Sequence, residues 1–555
     1  MMSVPPQLPS PGVVLRRLLQ NLGGGLRDLV LLPFLSRIPR EWVVLRLDRG
    51  LAEASTPSPW LEQLMQRPPL LANVLEVMRY AQRDEQVQGV LLKLGPGSLG
   101  WAKVSALARA LGRLREAGKR VVAYAENTGN AGAWLGAMAD HFWMAPEGRL
   151  DLLGVRMEVP FLRRALEKLQ IEPDVISAGR YKSAAETLER SSMSRAAREA
   201  LEAVVERLYE ALIDGLASGS AGSAERAREW IDNGPYLAVQ AHEIGLVDEL
   251  VYADEVPQRL AALAPGNGEP EAGHEARLVS AASYARVARP RFQWQPVLGE
   301  ANELAVVVLQ GLILPGAGSS RGIVGLLGRL AQSDNVRAVV LRIDSPGGDP
   351  LASDLIWRAV GKLAEKKPVV ASLGDTGASG GYYVAMAANE IIAEPTTLTG
   401  SIGVVMASLK FDAFLEQLGV SFDAVERGRH AGIYDPVRAR TEEERALLRR
   451  QIELLYTDFV RKAAKDRGLS EEVLDRVAQG RVWTGSHAKE HALVDQLGGL
   501  DVALARVREL SGLEPEAGRV VQYAVSPVAA RFLRSSPLER ARGAQFLCPV
   551  QVRLD

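Results

Sequence analysis

Two parts of this chain repeat each other, and the duplication limits its architecture more than any other feature. Residues 87–94 (VQGVLLKL) match residues 336–343 (VRAVVLRI). Both are short apolar runs rich in β-branched residues, the composition of buried parallel strands. Helical stretches follow at 102–117 and 352–366, and then RVVA at 120–123 and PVVA at 368–371. Strand–helix–strand order predicts right-handed βαβ units, hence an α/β fold with a helix-flanked parallel sheet in each copy. The match runs on through 161–180 and 410–429, and through Gly245-Leu246-Val247-Asp248 and Ala492-Leu493-Val494-Asp495, at an offset of about 248 residues.

A chain of 555 residues is too long for one core. The expected organisation is an N-terminal segment at 1–40, repeat one at 41–258, a linker at 259–302, repeat two at 303–515 and a C-terminal tail at 516–555. The Gly, Pro and Glu content of residues 264–274 marks the linker.

Composition excludes some function classes. Lys and Arg number 66 against 67 Asp and Glu, and this balance gives no drive towards nucleic acid. The single cysteine, Cys548, leaves no intrachain disulfide and fits a reducing compartment. A membrane-spanning helix needs about 20 apolar residues. The best run near the N-terminus, residues 29–35, contains Pro33 and is flanked by Arg27, Asp28 and Arg37. Neither a transmembrane anchor nor a signal-peptide cleavage pattern is read there. Residues 13–35 mix apolar side chains with Arg16, Arg17 and Arg27, and read either as a helix docked on the body or as a peripheral membrane contact. The expected location is cytoplasmic or peripheral on the cytoplasmic membrane.

The chemistry concentrates in repeat two. Gly377-Ala378-Ser379-Gly380-Gly381 follows a strand and opens an apolar small-residue helix. A serine there sits at a helix N-terminus, where N–H groups and the dipole favour negative charge. The Gly380 N–H can help to bind an oxyanion. Ser345-Pro346-Gly347-Gly348 closes the preceding strand, and Gly348 can present a second N–H. Aligning Thr376-Gly377 with Thr128-Gly129 sets Ser379 against Ala131. Aligning Gly428-Arg429 with Gly179-Arg180 sets Lys182 against Ala431. Each copy thus has alanine where the other has a reactive side chain, the pattern left when one composite site is built from two half-sites. Ser379 reads as a nucleophile, and Lys182 either as its partner in that composite site or as a solvated lysine.

The chain resembles the long, duplicated form of bacterial signal peptide peptidase A, over roughly residues 41–515. The resemblance is carried by Asp344-Ser345-Pro346-Gly347-Gly348, Ala378-Ser379-Gly380-Gly381-Tyr382-Tyr383, Leu398-Thr399-Gly400-Ser401-Ile402-Gly403 and Gly179-Arg180-Tyr181-Lys182-Ser183. It implies a Clp-crotonase-type α/β fold and cleavage of residual signal peptides and other peptides without ATP, with no cofactor or metal. It implies that Ser379 is the nucleophile of a Ser-Lys dyad, that Lys182 is the base, and that Ser401 hydrogen-bonds the lysine amine. It also implies a homotetramer whose eight repeats enclose the active sites.

Competing readings exist. Residues 377–381 also fit the G-x-S-x-G elbow of α/β-hydrolases, which needs a histidine such as His430, His487 or His491. His487-Ala488-Lys489-Glu490-His491 fits an inverted zinc motif but reads better as an exposed helix, because repeat one does not share the ligand positions. A non-catalytic crotonase-type scaffold is the remaining alternative.

Overall fold

The computed structural model describes residues 40–54, 68–97, 99–263, 274–288, 302–316, 320–515, 517–524 and 544–547, together with Leu18 and Leu22. The N-terminal segment read as a docked helix or membrane contact therefore lies almost wholly outside the described residues, as do residues 264–273 and Cys548. Among the described residues, no helix is long and apolar enough to cross a membrane.

Each repeat builds one sheet, and the two sheets share a plan. In repeat one the strands Leu278–Ser280, Trp42–Arg46, Gly89–Leu94, Arg120–Gly129 and His141–Asp151 lie side by side, with Tyr236–Leu237 and Glu249–Leu250 beyond. In repeat two Arg519–Ala524, Glu303–Gln310, Val336–Ser345 and Val369–Ala378 follow the same order, and Leu398–Gly400 and Val482–Thr484 continue it. The central pairings are parallel, as βαβ connections require. Alternate residues of each strand enter different cores: Val339, Leu341 and Ile343 face one helix layer, Ala338 and Val340 the other. Burial on both faces explains why these strands read as continuous apolar runs.

The repeats extend past the expected boundaries. Leu278–Ser280, assigned to the linker, pairs with Trp42–Val44 and is the edge strand of the first sheet. Arg519–Ala524, assigned to the tail, pairs with residues 303–308 and is the corresponding edge of the second. Both are short strands that follow a long excursion, so no periodicity announced them.

A third, four-stranded sheet joins the repeats. Glu172–Ala178 of repeat one runs antiparallel to Val404–Lys410 of repeat two, from Ala178 opposite Val404 to Glu172 opposite Lys410. The backbone of Ala544–Leu547 then pairs antiparallel with both Val405–Met406 and Gly347–Gly348. The cross-repeat ladder ends close to two landmarks in sequence, Lys182 after Ala178 and Ser401 before Val404.

Leu341 is wholly buried in a central strand. Leu341→Ala is expected to destabilise repeat two by about 2–5 kcal/mol, read as a lowered denaturation midpoint.

Candidate active site

Ser379 stands where Val369–Ala378 gives way to the short helix Gly380–Ala385. Its backbone has φ 55° and ψ −116°, a conformation costing about 1–3 kcal/mol that persists only when the surroundings enforce it. They do so here: the Ser379 N–H donates to Gly400 O at 2.8 Å, and Tyr383 N–H donates to Ser379 O at 2.8 Å. Ser379 is wholly buried. The turn aims its side chain away from the helix axis and towards the junction with repeat one.

Lys182 arrives from repeat one. The ladder fixes Ala178, and the Tyr181 N–H then donates to Gln479 O at 2.7 Å. Lys182 Nζ lies 2.7 Å from Ser379 Oγ, 2.8 Å from Ser401 O and 3.1 Å from Ser401 Oγ. Lys182 is 4% exposed and Ser401 is wholly buried. Three predicted side chains, from two repeats, thus converge within hydrogen-bonding distance. The Ser401 carbonyl oxygen is closer to the amine than its hydroxyl, so the main chain supplies the nearer of the two contacts.

The segments bearing the two expected oxyanion donors also converge. A Cβ added to Gly380 would lie 3.1 Å from Gly348 N. Gly348 has φ 158°, and a side chain there would meet Ile313 O at 2.0 Å. Glycine is therefore required for this strand to approach its neighbour.

The alternative sites fare differently. The nitrogen beside Ser379 Oγ belongs to a lysine and not to a histidine. His487 is engaged elsewhere: its Nε2 accepts from Arg207 Nε at 3.0 Å and its Nδ1 lies 3.1 Å from Thr484 Oγ1. Glu490 pairs with the same Arg207, and the His491 ring packs 4.4 Å from Trp483.

Comparison with known proteins identifies the family. The family model described as peptidase family S49 matches residues 113–265 and 361–514. The chain belongs to peptidase family S49. Two matched segments on one chain make it a duplicated member of that family. It is 33% identical over 443 residues to the chloroplastic serine protease SPPA of Arabidopsis thaliana, covering 78% of this chain and 64% of that protein. It is 31% identical over 459 residues to protease 4 of Salmonella typhi, covering 80% of this chain and 72% of that one. Protease 4 of Haemophilus influenzae is 28% identical over 459 residues, covering 79% and 72%. Family membership favours neither the esterase nor the scaffold reading.

Sequence reasoning missed what makes room for the lysine. A Cβ on Gly480 would come within 2.5 Å of Lys182 N, and one on Gly403 within 3.1 Å of Lys182 Cδ. Gly403 lies in a motif already singled out, but Gly480 is remote from every motif and gave no signal. Gly480→Ala is expected to displace the lysine segment. Labelling of Ser379 by a fluorophosphonate should slow by about tenfold or more, as when an orienting neighbour is lost. Intact-mass kinetics would read this, and an unchanged rate would contradict it.

Proposed function

We propose that this chain is an ATP-independent serine endopeptidase that clears signal-peptide remnants and other small or unfolded peptides, using a Ser379–Lys182 dyad. The observation that carries the reading is the 2.7 Å contact between Lys182 Nζ and the buried Ser379 Oγ across the repeat junction. A serine hydroxyl must lose its proton to a base before it attacks. An exposed lysine is almost wholly protonated near neutrality. Burial removes the hydration that stabilises the ammonium, and so moves the amine towards the form that accepts a proton.

The sequence of steps follows from the contacts. Ser379 Oγ attacks the scissile carbonyl as its proton passes to Lys182 Nζ. The N–H groups of Gly380 and Gly348 receive the oxyanion. Lys182 then gives its proton to the departing amine, leaving an ester on Ser379. A water deprotonated by Lys182 hydrolyses the ester, and the serine is regenerated. Ser401 aims the amine through its carbonyl and hydroxyl. The strand Ala544–Leu547 already runs beside Gly347–Gly348, which supports an extended peptide pairing with this edge by strand addition.

Features at the far end of repeat two support assembly into a homotetramer. In repeat one, the helix Trp101–Glu116 buries Ala102 and Ala106 on the side that meets repeat two. Counting from the N-caps Gly100 and Asp349, the matching positions of Pro350–Ala364 are Leu351 and Leu355, which are 65% and 43% exposed. Residues 421–427, the counterpart of Glu172–Ala178, form no strand, and Val425 there is 96% exposed. Repeat one of a second chain would cover both features. That junction would pair Ala431 with Ala131 and be inert.

Three outcomes test the reading. Ser379→Ala and Lys182→Ala should each abolish cleavage of a short apolar peptide, with the double variant no worse, because members of a catalytic unit are not additive. Turnover by folded Lys182→Ala would remove the base. Ser401→Ala keeps the carbonyl contact and should lower kcat only about tenfold. The value of kcat/KM should rise with pH through a single ionisation on the acid limb as Lys182 loses its proton, since only the neutral amine accepts the serine's proton; a profile with no such acid limb, flat across the range where a lysine depressed by burial titrates, would contradict this. For assembly, Leu351→Asp with Leu355→Asp should lower the mass of the particle in light scattering, and an unchanged mass would count against the tetramer interface.

A further inference from the structure

A second group of ionisable side chains gathers where the repeats meet. Repeat one contributes the buried Glu53 and Lys103, and repeat two contributes the buried Arg342 and the partly buried Asp344 and Asp375. Arg342 grips Glu53 with two bonds, Nε to Oε2 at 3.0 Å and Nη2 to Oε1 at 2.8 Å. Lys103 Nζ contacts Asp375 closely and lies 3.8 Å from both Glu53 Oε1 and Asp344 Oδ2. Asp375 Oδ1 accepts from Ala102 N–H at 3.0 Å, at the start of the repeat-one helix.

Asp344 occupies a telling place. The ladder between Val336–Ser345 and Val369–Ala378 slips between Ile343 and Ser345, and Asp344 is the residue at the slip. Its carboxylate replaces the missing backbone acceptor: the Thr376 N–H donates to Asp344 Oδ1 at 3.0 Å. The bond clips the strand that leads to Gly348 onto the strand that leads to Ser379. Burial, and then the neighbouring Asp375, push the Asp344 carboxyl up to about 6. Lys103 and, to a smaller extent, Arg342 oppose that push and favour the ionised form, because an unpaired carboxylate out of water is strongly disfavoured. Lys103 comes from the other repeat.

The group also follows the reciprocal pattern of the dyad. Gly95 follows residues 87–94 as Asp344 follows 336–343, and Asn127 precedes Thr128 as Asp375 precedes Thr376. Ala352 is third after its N-cap Asp349, as Lys103 is third after Gly100. Both acids and the lysine are thus specific to the junction that joins Lys182 to Ser379. We propose that Lys103, acting through Asp344, is a positioning residue of the peptidase site: it holds the clip that sets the oxyanion strand against the nucleophile strand. The inference rests on the peptidase reading above.

Kinetics of the full chain on one short apolar fluorogenic peptide test it, with thermal unfolding in parallel. Asp344→Ala and Lys103→Met should each lower kcat by roughly 10–100-fold, with KM within about threefold. Asp344→Asn keeps an oxygen for Thr376 N–H and should stay within about threefold of wild type. The double variant Lys103→Met/Asp344→Asn should return to the Asp344→Asn level, because Lys103 then has no carboxylate to compensate at that position. Asp375 keeps its helix N–H donor and partial solvent access in that variant. Wild-type kcat in Lys103→Met would overturn the proposal, as would a double variant as impaired as Lys103→Met. If Lys103→Met does not fold, Asp344→Asn against the double variant decides alone: equal kcat supports the proposal, and about tenfold lower kcat in the double overturns it. Ser379→Ala in the same assay keeps the two readings apart. Turnover surviving in that variant would indict the peptidase site, whereas its loss alongside unaffected Lys103→Met would indict only the role of Lys103.

Discussion

A lysine amine held out of water against a serine hydroxyl is the constraint on which the rest of this structure depends. A buried amine without oxygen partners would be costly, and Ser379 Oγ, Ser401 O and Ser401 Oγ surround Nζ within 3.1 Å. Neither repeat can satisfy that arrangement alone. The antiparallel ladder between Glu172–Ala178 and Val404–Lys410 delivers the lysine, and the glycines at 403 and 480 leave it space. The strained turn at Ser379 is tolerated because hydrogen bonds from both of its flanks fix it.

Duplication followed by division of labour accounts for the arrangement. Both copies keep the sheet order, the two helix layers and the edge strand that closes each repeat. They differ where the junction is built. One copy carries Lys182 and the cation Lys103; the other carries Ser379, Gly348, Gly380 and the acids Asp344 and Asp375. The two sides of the Lys182–Ser379 contact and the two sides of the Lys103–Asp344–Asp375 group segregate in the same sense, so one docking event aligns both.

Much of this was legible in the sequence, for identifiable reasons. Strands buried on both faces must be continuously apolar, so residues 87–94 and 336–343 announced themselves. The reciprocal alanines at 131 and 431 exposed the composite site because each repeat serves as the other's control. What stayed hidden was set by tertiary contact. Leu278–Ser280 and Arg519–Ala524 are short and lie after low-complexity or helical stretches, so they read as linker and tail. Gly480 matters only because Lys182 passes beside it. Lys103 looks like any solvated helical lysine until Asp344, Glu53 and Asp375 are seen around it.

The central claim is that a single chain supplies both halves of one site, across the junction within itself. Mixing chains tests it most directly. Ser379→Ala and Lys182→Ala chains are co-expressed and purified together as mixed assemblies, and peptide cleavage is compared with wild type. If the site lies within a chain, every chain in the mixture lacks one half, and activity stays at the level of either variant alone. Recovery of a substantial fraction of wild-type activity would mean that Lys182 of one chain serves Ser379 of another, and would contradict this account.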